Sequence, residues 1–283
     1  MSKTPRLSRS GIEYILNSDG SQGYSWGVYS GCRNGIEVCP VSPHCWARSI
    51  AKRFPSLYPR NFLPTIYPEA LLSPLRLKGP ALVSVGWVGD LIGYADPDMD
   101  VPVDYLSTVP GSAKASFKEA LFGIIRACPD STFLFLTKNP ERLELWEPFP
   151  KNAWVGVTAC DHIAFAAACF HLASIEATVK WLSLEPLLDW DMRVTIAVID
   201  QAKKAGIKWI VIGSQSNPII MPSVEWVKGI VEACGRAGIQ VWLKRNLYFI
   251  WFNKGNRGGN QIPAWASKDG GTLRHELPKA EHE

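Results

Sequence analysis

The 283-residue sequence lacks any run of the roughly 18 uncharged apolar residues needed to span a bilayer. Its first twenty residues, with Lys3, Arg6 and Arg9, hold no apolar stretch resembling a signal peptide. A membrane protein is therefore not expected, and the cytoplasm is the default location. Internal repeats and low-complexity segments are also missing, which argues against a solenoid and against a long disordered region. Strong charge of one sign is missing as well, since the net charge is only +4. With 47% hydrophobic residues, the chain has enough apolar surface to bury a real core.

Acidic residues are locally scarce. From Trp46 to Pro80 six basic residues (Arg48, Lys52, Arg53, Arg60, Arg76, Lys78) face one acid, Glu69. From Val241 to Ser267 there is no acid, while Lys244, Arg245, Lys254 and Arg257 interleave with Trp242, Tyr248, Phe249, Trp251, Phe252 and Trp265. Basic side chains contact phosphates and aromatic faces stack on unpaired bases, so both stretches suit nucleic acid. A solvated helix, or an amphipathic terminal helix followed by the loop NKGNRGGNQ, has the same composition.

Six short apolar runs, each ending in polar residues, read as strands: 81–90, 132–138, 153–159, 179–186, 207–215 and 239–244. Helical patterning fills Ser116–Ala127, His162–Ala173, Val194–Ala205 and Ser223–Ala237, the last opened by Ser223 as a cap. This alternation predicts an α/β fold with a parallel sheet. The polar residues collect at the carboxyl ends of the runs, where α/β proteins place their chemistry: Asp90, Thr137 with Lys138, Thr158, Glu185, Ser214 with Gln215, and Lys244 with Arg245. Six prolines between Pro55 and Pro80 predict a long irregular connection tied down by Tyr58, Phe62 and Tyr67. Residues 1–20 are expected as a tail, 21–247 as the main domain, and 248–283 as a basic aromatic extension whose last dozen residues fray.

Three of the seven cysteines, Cys32, Cys39 and Cys45, fall within fourteen residues, in SGCRNGIEVCPVSPHCWAR. In a reducing cytosol such a cluster points to metal or redox chemistry, whereas Cys128, Cys160, Cys169 and Cys234 are scattered among apolar neighbours and are expected to pack. Two metal groups compete on these residues. One is zinc, with His44 or a distant residue as fourth ligand; the other is an iron–sulfur cluster on three cysteines with one iron left open. Adjacent His44 and Cys45 diverge, which favours the second.

The cysteine segment with its CWAR ending, VGDL (88–91), FLFLTKNPERL (133–143), NAWVGVT (152–158), LSLEPLL (182–188), WIVIGSQS (209–216) and VWLKRNL (241–247), in that order, resembles the phage-associated radical-SAM-like family. Trp46 stands where that family commonly has Tyr. The widespread radical SAM motif spaces its cysteines more closely than the six and five residues found here, and usually has an aromatic in the place of His44. The resemblance implies a partial (β/α)6 TIM-like barrel with its cluster loop after a short strand near Tyr24–Tyr29. It also implies a [4Fe-4S] cluster on Cys32, Cys39 and Cys45, and S-adenosylmethionine on the open iron as the source of a 5′-deoxyadenosyl radical. On that reading Asp90, Thr158, Glu185 and Gln215 bind the cofactor, and Arg48, Lys138, Lys244 and Arg245 bind the substrate. A reductant protein such as flavodoxin or ferredoxin supplies the electron. The expected activity is modification of a nucleobase or nucleotide, such as isomerisation of a modified thymine in phage DNA, or repair. The alternatives are a zinc-stapled nucleic-acid-binding protein without catalysis, and a radical SAM enzyme acting on a peptide or small metabolite.

Overall fold

The computed structural model describes residues 6–36, 39–101, 115–248, 262–267 and 272–278. Much of the basic aromatic stretch, from Phe249 through the NKGNRGGNQ loop, lies outside these residues, as does Lys3. The chain is mixed α/β with a large, mostly parallel sheet, and closure of the strands into a barrel is not seen among the described residues. It divides into two compact units, Met1–Val155 with Ile175–Thr178, and Gly156–Ser174 with Val179–Glu283.

The first unit holds β1 (Leu7–Arg9), β2 (Tyr24–Trp26), β3 (Tyr29–Gly31), α1 (Trp46–Arg53), β4 (Thr65–Ile66), β5 (Leu82–Val85), β6 (Val88–Gly89), α2 (Leu91–Tyr94), α3 (Phe117–Arg126) and β7 (Thr132–Thr137). The strand β8 (Ala153–Thr158) gives its first half to this unit and its second half to the other. The order is β1-β2-β5-β7-β8, with β1 antiparallel to β2, β2 parallel to β5 and β5 parallel to β7. A small second sheet, β4-β3-β6, carries the start of the cysteine loop. Every residue of β5 and β8 is buried, as internal parallel strands require. Ser116 and Glu119 form a reciprocal capping box that starts α3, and Phe117, Ala120, Leu121 and Ile124 form its buried stripe. Residues 7–15, within the expected tail, are not loose, since β1 pairs with β2 and Tyr14 and Ile15 are buried.

The second unit holds α4 (His162–Ala173), β9 (Val179–Leu184), α5 (Thr195–Lys204), β10 (Ile207–Ile212), β11 (Gln215–Ser216), β12 (Ile219–Ile220), α6 (Val224–Ala237) and β13 (Gln240–Leu243). From β8 its order continues β9-β10-β13, and β10 is parallel to both neighbours. The Ser223 hydroxyl accepts from the Glu225 N–H at the start of α6, and Gly238, at φ +76°, ends it. All six predicted strands and all four predicted helices are present. The expected fraying at the C-terminus is corrected for residues 272–278. Val241 donates its N–H to the buried Glu276 carboxylate at 2.8 Å, and Leu243 donates to the Arg274 carbonyl at 2.8 Å, so this segment edges β13. Among the described residues no helix is long and apolar enough to cross a membrane.

Candidate functional site

The cysteine loop leaves β3 through Gly31, which sits at φ +96°; a Cβ there would strike the Leu63 carbonyl, and one on Gly89 would strike the Gly31 carbonyl. This close approach lets the Cys32 N–H reach the Phe62 carbonyl at 3.2 Å. The Cys32 sulfur accepts from the Asn34 N–H at 3.3 Å. Cys39 donates its N–H to the Gly35 carbonyl, and Cys45 follows a short turn, Ser42–His44, to stand at the start of α1. A local apolar cluster of Ala47, Ala51, Tyr58, Phe62, Tyr67 and Ala70 packs under the loop, with Cys32 and Cys45 against it. The proline-rich connection is thus tied down by the three aromatics expected to do so. His44 is exposed and Cys45 is half-buried.

Burial pushes the Cys32 thiol up to about 11, aided by the nearby negative charges of Asp90, Cys45 and Cys39 and opposed by the Asn34 N–H. Burial also raises Cys39, opposed first by the Lys138 ammonium, with Cys45 and Asp90 acting upward. The three thiols, Asp90 and Lys138 therefore share one electrostatic neighbourhood. Among the described residues, no three His, Cys, Asp or Glu side chains stand as a preformed ligand set around a single metal ion. A zinc ion needs its sulfurs at about 2.3 Å around one point.

Asp90 does not offer its carboxylate to that set. It is 5% exposed, and both oxygens are engaged. Oδ1 accepts from the Gly93 N–H (2.9 Å) and the Thr137 hydroxyl (2.7 Å), while Oδ2 accepts from the Lys138 N–H (3.0 Å) and the Asn139 amide (2.7 Å). The Asn139 amide also donates to Asn34 Oδ1 at 3.1 Å, which accepts from the Tyr94 hydroxyl at 2.6 Å. This buried network joins the end of β7, the start of α2 and the residue two beyond Cys32. A Cβ on Gly93 would collide with the Asn139 amide, so glycine is required there. Asp90, expected to bind a cofactor, has both carboxylate oxygens occupied by protein donors. Asn34, Tyr94 and Asn139 were not singled out from sequence; Asn34 and Asn139 lie inside quoted motifs, CRNG and TKNP, whose asparagines were the available signal.

Arg48 and Lys138 belong to the same unit. Arg48 is exposed on α1, its guanidinium 5.3 Å from the Phe62 ring centroid, and Lys138 is half-buried and bears on Cys39. The other predicted residues belong to the second unit. Glu185 and Lys244 form an ion pair there, 26% and 17% exposed, over Gly213, where a Cβ would come 3.0 Å from Lys244 Cδ. Gln215 is buried and donates to the Pro218 carbonyl at 3.0 Å across the β11–β12 hairpin. Thr158 is the buried last residue of β8, and Arg245 is exposed at the start of the turn after β13. Of the remaining cysteines Cys160, Cys169 and Cys234 are buried and Cys128 is half-buried, as expected of packing residues.

A family model described as Protein of unknown function (DUF5131) matches residues 12–260, so the chain belongs to that family. No curated protein and no solved structure matches it.

Proposed function

We propose that this member of the DUF5131 family is a radical SAM enzyme acting on a nucleobase or nucleotide, with Cys32, Cys39 and Cys45 as ligands of a [4Fe-4S] cluster. The observation that carries the reading is the gathering of three buried or half-buried thiols in one loop, in the same unit as a carboxylate whose oxygens are both occupied. With Asp90 engaged, the donors left there among the described residues are sulfurs, which select zinc or iron–sulfur groups over hard cations. When bound, the cluster with S-adenosylmethionine supplies abstraction of a hydrogen atom by a radical.

The chain's own contribution is binding, orientation and dryness. The three thiols give up their protons on ligation, and the Lys138 ammonium eases this at Cys39. The apolar cluster under the loop keeps water from Cys32 and Cys45. The Asp90 network holds Asn34, and through it the loop, in a fixed register. Directly after Cys45, α1 exposes Arg48, Lys52 and Arg53 together with Trp46 (56%) and, at its end, Phe54 (41%). Cations for phosphates and exposed rings for stacking beside the thiols favour a nucleic-acid or nucleotide substrate over a peptide. A one-electron donor such as flavodoxin or ferredoxin completes the reading.

The test is anaerobic incubation of the iron-reconstituted protein with S-adenosylmethionine and dithionite. Release of 5′-deoxyadenosine by wild type, and none by Cys39→Ala, is the expected result. An iron-loaded wild type that releases none would overturn the radical chemistry.

A further inference from the structure

Helix α1 inverts the usual placement of its side chains. It buries Ala47 and Ala51, half-buries Ile50, and leaves its largest apolar residue, Trp46, 56% exposed. An indole removed from water gains more than a methyl group does, so folding alone does not favour this arrangement. A lone exposed aromatic needs no explanation, but Trp46 is not alone. Ile36 and Leu63 are exposed as well, and both belong to the surroundings of the cysteines. Ile36 lies four residues after Cys32, and the Leu63 carbonyl is the atom that a Cβ on Gly31 would strike.

The cations share the exposed side of this helix. Ser49 and Arg53 follow Trp46 at i+3 and i+7 and so continue its row, while Arg48 and Lys52, at i and i+4, make a parallel row beside it. Arg53 is about 10 Å along the axis from Trp46, and its guanidinium lies 5.4 Å from the Phe54 ring centroid. The helix contains no acid. Among the described residues, none of Arg48, Lys52 and Arg53 stands in a salt bridge. A ring that can take the face of a base, followed by cations that can take phosphates, is the composition that holds single-stranded nucleic acid. A duplex offers the cations the same phosphates but keeps its base faces stacked on one another, so a base reaches Trp46 only when it is unpaired.

We infer that Trp46 is a substrate-binding residue, the platform on which an unpaired base of a nucleic-acid strand stacks, with Arg48, Lys52 and Arg53 on the phosphates of that strand. The inference rests on the nucleic-acid part of the reading above and narrows its substrate to a single strand. The stacked base is then held at the residue that directly follows Cys45.

The experiment follows, by fluorescence anisotropy, the binding of a labelled single-stranded DNA oligonucleotide and of the duplex of the same sequence. Anaerobically reconstituted wild type, Trp46→Ala and Trp46→Phe are compared. Wild type is expected to bind the single strand more tightly than the duplex. Trp46→Ala weakens the single strand by about tenfold or more, the order of one lost base–aromatic stack, and leaves the duplex within about twofold. Trp46→Phe, which keeps a ring, recovers most of the loss, and the retained duplex binding of Trp46→Ala shows that the variant is folded. Unchanged affinity of Trp46→Ala for the single strand, or an equal loss on strand and duplex, would overturn the role of Trp46. Polyglutamate that displaces the oligonucleotide as well as unlabelled DNA does would overturn it too, and assign the face to an acidic protein. Strand binding through Trp46 without release of 5′-deoxyadenosine would remove the radical chemistry and keep this inference. Release by a Trp46→Ala variant that binds the strand as wild type does would have the reverse meaning.

Discussion

At the scale of single residues, Asp90 decides how the loop is held. A carboxylate at the end of a short strand, in VGDL, has the features of a ligand for an amine or a ribose, and sequence alone cannot distinguish that from what the fold does with it. Its four donors come from Gly93, Thr137, Lys138 and Asn139, three of them more than forty positions away, and only the pairing of distant elements brings them together. Asparagine at this position keeps one acceptor oxygen and turns an amide donor toward other donors, either the Lys138 N–H and the Asn139 amide or the opposite pair. Two hydrogen bonds to a charged group are lost at roughly 1.5–3 kcal/mol each. Asp90→Asn is therefore expected to lower stability in urea unfolding by about 3 kcal/mol or more. A loss under about 0.5 kcal/mol would mean that the network is not what fixes this corner. The cysteines show the complementary case: their clustering is visible in the sequence.

At the scale of elements, the periodicities were sufficient to locate β5, β7, β8, β9, β10 and β13, and to bound α3, α4, α5 and α6 to within a residue or two. Buried parallel strands read as continuous apolar runs, and Ser116 and Ser223 mark helix starts through caps that are local in sequence. What was not legible depends on distant partners. The three residues of β1 become a strand only by pairing with β2, and residues 272–278 are ordered by the hydrogen bonds of Arg274 and Glu276 to β13. The element that carries the substrate argument is α1, whose buried face is Ala47 and Ala51 and whose exposed face is basic. Each phosphate contact of a basic side chain on duplex DNA contributes about 0.9 to the slope of log affinity against log salt. If α1 meets phosphates, the pair Arg48→Glu and Lys52→Glu weakens binding to DNA and flattens that slope by about 1–2, measured by fluorescence anisotropy across salt concentrations. An unchanged slope would assign these residues to an ordinary solvated face.

At the scale of the whole molecule, the family match from residue 12 to 260 takes in nearly all the described elements of both units, and the cysteine loop lies within it. The loop is supported on three sides by features of one unit: the glycine approach at Gly31 and Gly89, the aromatic cluster from Tyr58 to Tyr67, and the Asp90 network. The glutamate and lysine expected to bind cofactor and substrate at the strand ends of the second unit form an ion pair with each other. The central claim is therefore about the thiols, and metal content tests it most directly. Iron, sulfide and zinc are measured in anaerobically reconstituted wild type and Cys39→Ala, beside their visible absorption. The account predicts about four irons and comparable sulfide per chain in wild type, with broad absorption near 400 nm that is lost in the variant. One zinc per chain, no iron and a colourless protein would contradict it and make the cysteine loop a structural staple.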